Sequence, residues 1–248
     1  MAPDSSARTA LVTGGGSGIG RAIAVALAER GADVLVTGRR PDALAATAAL
    51  HPRIRIRVAD VAEPGSADAV VAAAAPSGRL DVLVNNAGMI RVMPLGQIDA
   101  AEAERMWAVN VLGPTMLTQA ALPLLVTSRG AVVNVSSVFG AKPAPQISVY
   151  GATKAAIEQL TRSWALELAP HGARVNAVAP GPVASEVLQS AGLTPEQIAA
   201  TEAEERARIP LGRRGSPKDV ADWVAALAEP DAWITGQVIG VDGGDALT

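Results

Sequence analysis

Short runs of β-branched residues alternate along the chain with longer Ala- and Leu-rich segments that have a helical period. Most runs are apolar at successive positions, as in strands covered on both faces, so the alternation predicts a parallel sheet between helices. The predicted strands are Ala10–Thr13, Val34–Thr37, Ile54–Ala59, Val82–Asn85, Ala131–Ser136, Arg174–Ala179 and Gln237–Val241. The predicted helices are Gly18–Arg30, Asp42–Leu50, Ser66–Ala75, Ala100–Val111, Thr115–Val126, Val149–Leu168 and Lys218–Ala228. The fold class is therefore α/β, a doubly wound, seven-stranded parallel sheet with helices on both faces.

The third predicted strand differs from the others because arginines alternate with apolar residues from Arg53 to Val58. Alternating charge is typical of an edge strand that resists pairing with another chain. In the usual doubly wound strand order, 3-2-1-4-5-6, the third strand lies at the edge, which agrees with this pattern.

The length of 248 residues fits one α/β domain, and we expect a single domain over residues 1–248. The least regular region runs from Pro180 to Pro217, with Pro and Gly at both ends and a polar helical centre, Thr194–Arg208. A long excursion at this edge of a sheet favours a substrate-binding flap at about residues 182–215. An ordinary pair of surface helices is an equally good interpretation.

Composition excludes several classes of protein. A net charge of −3 gives no electrostatic reason to expect nucleic acid or an anionic membrane as a partner. No cysteine is present, and His51 and His171 lie in unrelated loops, so no metal site is predicted. The first residues lack the basic start and apolar stretch of a secretory signal, and no uninterrupted apolar run approaches the ~20 residues of a membrane span. We therefore expect a cytoplasmic protein.

A glycine-rich turn, Thr13–Gly20, lies between the first predicted strand and the first predicted helix. Its spacing is T-G-x-x-x-G-x-G rather than the G-x-G-x-x-G fingerprint. Glycines allow a tight turn and let backbone N–H groups approach a pyrophosphate at the positive end of a helix. After the first strand of a βαβ unit, this turn predicts a Rossmann fold that binds a dinucleotide.

The end of the second predicted strand indicates which dinucleotide is bound. An Asp or Glu expected here for the adenosine ribose diol is absent, and Gly38 and Arg39 stand in its place. Gly38 leaves space, and the Arg39 guanidinium suits a 2′-phosphate. NADP(H) is therefore favoured, with NAD(H) still open; the alternative is that Arg39 and Arg40 are solvated loop residues.

The only tyrosine of the sequence, Tyr150, is followed four residues later by Lys154, so a helix places both on one face. A nearby ammonium favours the phenolate, which could make the phenol a proton-transferring group near neutral pH. Ser137 ends the predicted strand Ala131–Ser136, where a hydroxyl would reach the ligand crevice and hydrogen-bond a substrate oxygen. For Ser137, a simple role in capping the next loop also fits.

In combination these residues resemble the short-chain dehydrogenase/reductase family, in its branch of ordinary length, from Thr9 to Gly244. Acyl-carrier-protein ketoreductases are among the members that the chain resembles closely. The matching motifs, in order along the chain, are Thr13–Gly20, Asp60-Val61, Asn85–Gly88, Asn110 in M-x-x-V-N-x-x-G, Ser137, Tyr150 with Lys154, Pro180-Gly181 and Val241–Gly244.

The resemblance implies a catalytic group of four residues. Tyr150 would be the general acid in reduction and the general base in oxidation. Lys154 would hydrogen-bond the nicotinamide ribose and lower the pKa of the tyrosine. Ser137 would hold the carbonyl oxygen, and Asn110 would anchor a water in a proton relay beyond Lys154.

The resemblance also implies the cofactor contacts. Asp60 would accept from the adenine amine, Asn86 and Gly88 would lie on the adenosine side, and Val183 and Ser185 would meet the carboxamide. The full predicted set is Gly14, Ser17, Gly18, Ile19, Gly20, Arg39, Asp60, Val61, Asn86, Ala87, Gly88, Tyr150, Lys154, Pro180, Gly181, Val183 and Ser185. Two positions depart from the family pattern: Ser185 replaces a usual threonine, and Ser17 stands where strongly NADPH-dependent members often place a basic residue.

The function expected from the resemblance is hydride transfer between NAD(P) and a carbonyl or secondary alcohol. The predicted pocket wall is mainly apolar and comprises Met89–Pro94, Val138–Gly140, Pro145–Ile147, Pro182, Val187 and Leu188, with Arg91 and Gln146 able to orient a polar substituent. This favours ketone reduction on a mid-sized, largely apolar substrate.

A freely diffusing substrate is favoured over a carrier-bound one. The arginines that dock an acidic carrier in ketoreductases lie near the positions of Ser128 and His171, and only Arg129 comes close here. A homo-oligomer, a tetramer by analogy with the family, is expected through the helices Thr115–Val126 and Val149–Leu168. The alternatives are a non-catalytic NAD(P)H-sensing protein and an enzyme of the same fold with another reaction, such as an imine reductase.

Overall fold

The structure is a computed structural model that describes residues 7–184 and 194–248. Seven parallel strands form one sheet in the order β3-β2-β1-β4-β5-β6-β7, which confirms the predicted fold class. The strands are β1 Thr9–Thr13, β2 Asp33–Gly38, β3 Ile54–Val58, β4 Val82–Asn85, β5 Ala131–Val135, β6 Arg174–Pro180 and β7 Val238–Val241. Each predicted strand is present, and no bound differs from the prediction by more than one residue.

Helices cover both faces of the sheet, and each face has its own apolar cluster. The helices are α1 Gly18–Glu29, α2 Pro41–Ala48, α3 Ser66–Ala74, α4 Ala100–Trp107, α5 Gly113–Ser128, α6 Ser148–Leu168, α7 Pro195–Arg208 and α8 Pro217–Leu227. The β3 strand lies at the edge of the sheet, and the exposed side chains of four of its five residues agree with the charge pattern of its sequence.

The structure joins two helices that the sequence separates. A π-helical turn, Ala108–Leu112, connects α4 directly to α5, although the Gly113-Pro114 pair predicts a break. Pro114 has no N–H to donate into the preceding turn, and that turn is the π-helical one. The continuous helix has 29 residues and contains an 18-residue window with a mean hydropathy of 1.4, so by length and composition alone it could cross a membrane. Its α5 part contributes Leu117, Ala121 and Leu125 to an apolar cluster, as a core helix does.

The region predicted as a flap contains the α7 helix, and its first turn is fixed by a capping box. The Thr194 hydroxyl accepts from the Gln197 N–H at 3.3 Å, and the Gln197 carboxamide oxygen accepts from the Thr194 N–H at 2.8 Å. These bonds satisfy backbone donors that a helix start leaves unpaired. The carboxyl ends of β4, β5 and β6 lie on the same side of the sheet as α7, so their side chains and the helix share one crevice.

Candidate active site

The glycine turn after β1 forms a close-packed cradle. A Cβ atom at Gly20 would lie 2.3 Å from the Gly14 carbonyl oxygen and 2.4 Å from the Asn86 Nδ2 atom, so no side chain fits there. Gly14 has a φ of +66°, a conformation that favours glycine. The sequence did not single out Thr13 by itself, yet its Oγ1 accepts from the N–H groups of Asn86 at 3.0 Å and Ala87 at 2.9 Å. Thr13 thereby ties the turn to the end of β4.

A cavity of about 570 Å³ opens over this turn. The α1 helix begins at Gly18, directly beneath the cavity, so its first N–H groups and its positive end point toward a bound anion. The predicted cofactor residues that line this cavity are Gly14, Ser17, Gly18, Ile19, Gly20, Arg39, Asp60, Val61, Asn86, Ala87 and Gly88. A cradle without side chains, at a helix start, fits the pyrophosphate of a dinucleotide.

Two arginines border the outer end of this cavity. Arg39 is exposed at the end of β2, and Arg40 donates from Nη2 to the Ser17 Oγ atom at 3.0 Å. The sequence predicted Arg39 as the contact to the phosphate. The structure places Arg40 at the same cavity, and the sequence spacing did not predict its hydrogen bond to Ser17 of the glycine turn. Both guanidinium groups therefore lie at the end of the cavity where an adenosine would be held.

Asp60 and Gly88 line the first cavity and also contact residues that the sequence did not indicate. The Asp60 carboxylate already accepts from the Ala62 N–H at 3.0 Å and pairs with Arg105, so part of its accepting capacity is used. A Cβ atom at Gly88 would lie 3.5 Å from the Lys154 Nζ atom. Gly88 thus lies beside the lysine rather than only on the adenosine side.

The three predicted reacting side chains meet in a second cavity of about 840 Å³, which shares Ile19, Asn86 and Gly88 with the first. Tyr150 and Lys154 lie in the first turns of α6, and Ser137 follows β5. The Ser137 hydroxyl lies close enough to the Tyr150 phenol to lower the pKa of that phenol by hydrogen bonding. Lys154 lies with its Nζ atom 5.7 Å from the centre of the Tyr150 ring. Pro180, Gly181 and Val183 line the same cavity, whereas Ser185, Val187 and Leu188 lie outside the described residues.

Burial controls the protonation of these groups. It raises the pKa of the Tyr150 phenol, and the hydrogen bond from Ser137 lowers it only in part. Burial also lowers the pKa of Lys154 to about 8, against an opposing effect of the Glu158 carboxylate. In the protein alone the pKa of Tyr150 is therefore raised overall, with burial as the largest cause. That Lys154 lowers this pKa stays a prediction.

Asn110 lies in the π-helical turn, next to Lys154. Its Nδ2 atom donates to the Met89 carbonyl oxygen at 2.9 Å and to the Thr153 Oγ1 atom at 3.0 Å. Its Oδ1 atom accepts from the Met89 N–H at 2.9 Å. The side chain therefore links the π turn to the loop after β4 and to α6. A π turn of this kind is frequent at functional sites.

Buried polar side chains that the sequence analysis did not identify connect the elements that carry the site. Asn85 donates to Asn134 at 2.9 Å, and Asn134 donates to the Thr161 hydroxyl at 2.8 Å, which links β4, β5 and α6 inside the core. Buried amides linked in this way hold the ends of β4 and β5 in register. An asparagine inside an apolar run was the only signal available in the sequence.

The wall of the second cavity is apolar on the sheet side, and α7 contributes polar residues. Predicted wall residues that line it include Met89, Ile90, Val92, Phe139, Gln146, Ile147 and Pro182. Gln146 has a φ of +66°, unusual for a residue with a side chain, and its carbonyl oxygen accepts from the Met93 N–H at 2.6 Å. Arg91 instead pairs with Glu102 at 3.0 Å and lines the first cavity.

The chain is similar to many proteins of known class. Residues 14–245 match the family described as Enoyl-(Acyl carrier protein) reductase. The chain is 41% identical over 245 residues to the cis-4-hydroxycyclohexanecarboxylate dehydrogenase of Sinomonas cyclohexanicum, covering 96% of each chain. It is 37% identical over 244 residues to the 3-oxoacyl-[acyl-carrier-protein] reductase of Thermotoga maritima, covering 96% of this chain and 97% of that one.

A solved structure matches over nearly the whole chain. The crystal structure of a short-chain dehydrogenase/reductase of unknown function from Caenorhabditis elegans, with cofactor, superimposes with a TM-score of 0.92 and 32% identity. The match covers 99% of this chain and 97% of that one. Sequence and fold therefore agree over the same length.

Proposed function

The chain belongs to the short-chain dehydrogenase/reductase family, and from that premise we propose that Tyr150 is the residue through which it exchanges a proton with its substrate. It is an NAD(P)-dependent oxidoreductase that transfers a hydride between a nicotinamide and a carbonyl or alcohol carbon. The observation that carries the proposal is that Ser137, Tyr150 and Lys154 line one cavity, which adjoins the cofactor cradle.

In ketone reduction the bound cofactor would supply the hydride, and the protein residues would bind and protonate the carbonyl oxygen of the substrate. Ser137 and Tyr150 both hydrogen-bond the carbonyl oxygen, and Tyr150 gives its proton to that oxygen as negative charge develops. The raised pKa of the Tyr150 phenol suits this acid role, because the phenol stays protonated until negative charge develops on the substrate oxygen. In alcohol oxidation the same phenolate oxygen accepts the proton.

Lys154 and Asn110 complete the catalytic group. Lys154 would donate to the nicotinamide ribose, and its charge favours the phenolate once the tyrosine has given up its proton. The bonds from Asn110 to Met89 and Thr153 support a positioning role and leave its predicted water contact to be tested. The residues that would hold the cofactor are those of the glycine cradle, Asp60-Val61, Asn86–Gly88 and Pro180–Val183, with Ser185.

NADP(H) is the proposed cofactor. The exposed guanidinium of Arg39 and its neighbour Arg40 border the adenosine end of the first cavity, and β2 ends in Gly38 rather than in an acidic residue. Two arginines at this position suit a 2′-phosphate. NAD(H) remains the alternative, because Arg40 is partly engaged with Ser17.

The proposed substrate is a freely diffusing, mid-sized ketone or secondary alcohol with a largely apolar body. The apolar wall formed by Met89, Ile90 and Phe139 supports this assignment. The relative from Thermotoga maritima is named for a carrier-bound substrate and the one from Sinomonas for a free ring acid. Here Arg129 is exposed close to Gly172, but position 171 is a histidine, so the second arginine of the pair is absent.

We further propose a single-domain, cytoplasmic homotetramer. Leu166, on α6, is 79% exposed, and Met116 and Leu122 are exposed on α5, so both helices carry apolar surface that a second copy could cover. Multi-angle light scattering tests the assembly: a tetramer mass is expected, and a monomer mass would reject it.

The test of function is a panel of ketones and secondary alcohols assayed with NADPH, NADH and their oxidised forms. We expect turnover of apolar ketones with NADPH. Tyr150→Phe should lose at least ~100-fold in kcat while its affinity for NADPH stays within about threefold of the native protein. Unchanged turnover in that variant would reject Tyr150 as the proton donor, and NADPH binding without any turnover across the panel would favour a sensing role.

A further inference from the structure

Glu158 carries a buried carboxylate beneath the catalytic group. The proposed reaction does not use this carboxylate. It lies on α6, four residues after Lys154, and its side chain is 8% exposed. A carboxylate at this depth needs partners that offset its desolvation. Its partners among the described residues connect it to both halves of the catalytic group.

The first connection is to the strand end that carries Ser137. The Ser136 Oγ atom donates to the Glu158 Oε1 atom at 2.9 Å and lies 3.3 Å from the Lys154 carbonyl oxygen. A Cβ atom at Gly140 would lie 2.3 Å from the same carboxylate oxygen, so the turn that begins at Ser137 is seated directly on Glu158. The carboxylate thus fixes the backbone on both sides of Ser137.

The second connection is to the ammonium group of Lys154. On α6 the titratable groups near it are Tyr150 and Glu158, with Arg162 beyond Glu158 at 3.8 Å from Oε2. From β5 it faces the Val135 carbonyl oxygen at 2.9 Å, and Asn110 of the π turn lies beside it, both uncharged. Glu158 is therefore the nearby negative charge, among the described residues, that favours a protonated lysine, and it opposes the burial that lowers the pKa of Lys154 to about 8.

We propose that Glu158 is a positioning residue, which holds the Ser136–Gly140 turn in place through its hydrogen bond to Ser136 and keeps Lys154 charged at the pH at which the enzyme works. The proposal rests on the catalytic assignment above. Its structural part concerns only the free protein, however, so it can be tested without turnover.

The chain has three lysines, Lys142, Lys154 and Lys218, so protein labelled with ¹³C at the lysine Cε gives few resonances, and Lys142→Arg and Lys218→Arg assign them. Titration of the free protein by NMR reports the pKa of each amine. Glu158→Gln keeps the size of the side chain and an acceptor for Ser136 but removes the charge. We expect the midpoint of Lys154 to fall by roughly half a pH unit or more while the other two stay unchanged.

The matched control is Glu167→Gln, the same chemical change at an exposed position of the same helix. It should leave all three midpoints unmoved. In kinetics, the alkaline limb of the pH profile for alcohol oxidation should move to lower pH in Glu158→Gln and stay in place in Glu167→Gln. A Lys154 midpoint that is equal in native protein and Glu158→Gln overturns the electrostatic role.

Ser136→Ala separates the mechanical connection from the electrostatic one. It removes the hydrogen bond to Glu158 and keeps the charge, so kcat should fall several-fold with the pH limb unchanged. Native kcat in this variant overturns the positioning role. If instead native protein binds NADPH and reduces no carbonyl, the proposed function fails, while the NMR result still decides whether Glu158 sets the charge of Lys154.

Discussion

The Nζ atom of Lys154 lies 5.7 Å from the centre of the Tyr150 ring and, on its other side, donates a hydrogen bond to the Val135 carbonyl oxygen at 2.9 Å. The backbone of β5 therefore holds the ammonium group next to the phenol. This position requires a buried charge, since the residue as a whole is 5% exposed. A function that needs such a charge is expected to cost stability.

We predict that the stability of the native protein rises relative to that of Lys154→Met as pH increases. The pKa of this lysine is 10.5 when unperturbed and about 8 in the folded protein, so between these values the unfolded chain binds the extra proton. Stability is then gained as pH rises through this window. Between about pH 7 and about pH 9.5 the difference in unfolding free energy should change by about 2 kcal/mol in favour of the native protein.

Urea unfolding at the two pH values measures this change. Lys218→Met is the control, because Lys218 is exposed and pairs with Asp222 at the surface. The difference in unfolding free energy between Lys218→Met and the native protein should be the same at both pH values. A Lys154→Met difference that does not change with pH would contradict the lowered pKa.

We predict that Arg39→Ala weakens NADPH binding by ~10–100-fold and NADH binding by less than about threefold, since only NADPH carries the 2′-phosphate. Fluorescence titration with each cofactor measures the two affinities. Arg57→Ala removes the same charge from the exposed face of β3, in register with Thr37 but away from the cavity, and should leave both affinities unchanged. Equal losses for the two cofactors in Arg39→Ala would remove this residue as the phosphate contact.

The order of elements could be predicted because it depends on local pattern. Apolar runs such as Val82–Asn85 need no distant partner to be recognised, and the charges of Arg53–Val58 are enough to place β3 at the edge. The helix across Ala108–Leu112 could not be predicted. Gly-Pro ordinarily ends a helix, and the π turn, which packs against α6, has no signal in the local sequence.

Part of the candidate site could likewise be predicted from local sequence, and part of it could not. The i, i+4 spacing was enough to bring Tyr150 and Lys154 together, because a helix fixes that distance. The pairing of Asp60 with Arg105 joins residues 45 positions apart, and the spacing carries no signal for it. The pKa of Tyr150 also depends on burial, which acts opposite to the charge that the sequence displays.

We predict that Gly20→Ala disrupts cofactor binding, because its Cβ atom would overlap the Gly14 carbonyl oxygen and the Asn86 side chain. The turn must open to relieve the contact, which moves the first N–H groups of α1. NADPH affinity should fall by at least ~10-fold, with a lower melting temperature. Gly240→Ala is the control, since a Cβ atom there meets only the Asp242 Oδ1 atom at 4.0 Å. Native NADPH affinity in Gly20→Ala would show that the cradle does not need this glycine.

Arg214 provides the last prediction, because it connects the helix α7 to the loop after β6. Its guanidinium pairs with Glu202 at 2.5 Å and Glu205 at 2.7 Å and donates to the Val183 carbonyl oxygen at 3.1 Å. The arginine side chain is 7% exposed, so its loss leaves the Glu205 carboxylate, whose pKa burial already raises, without its main cation. We expect Arg214→Met to cost roughly 2 kcal/mol of stability, less than for a fully buried pair because Glu202 is partly solvated.

The kinetic consequence follows from where α7 lies. Gln197 and Thr201 of this helix line the substrate cavity and not the cofactor cradle, so loosening it should raise KM for the ketone by ~10-fold and leave NADPH affinity unchanged. Arg206→Met is the matched control, since Arg206 pairs with Glu202 from the solvent side, where ion pairs contribute little. If Arg214→Met changed KM no more than Arg206→Met does, α7 would be an ordinary surface helix. A rise confined to Arg214→Met would support the prediction that α7 contributes to substrate binding.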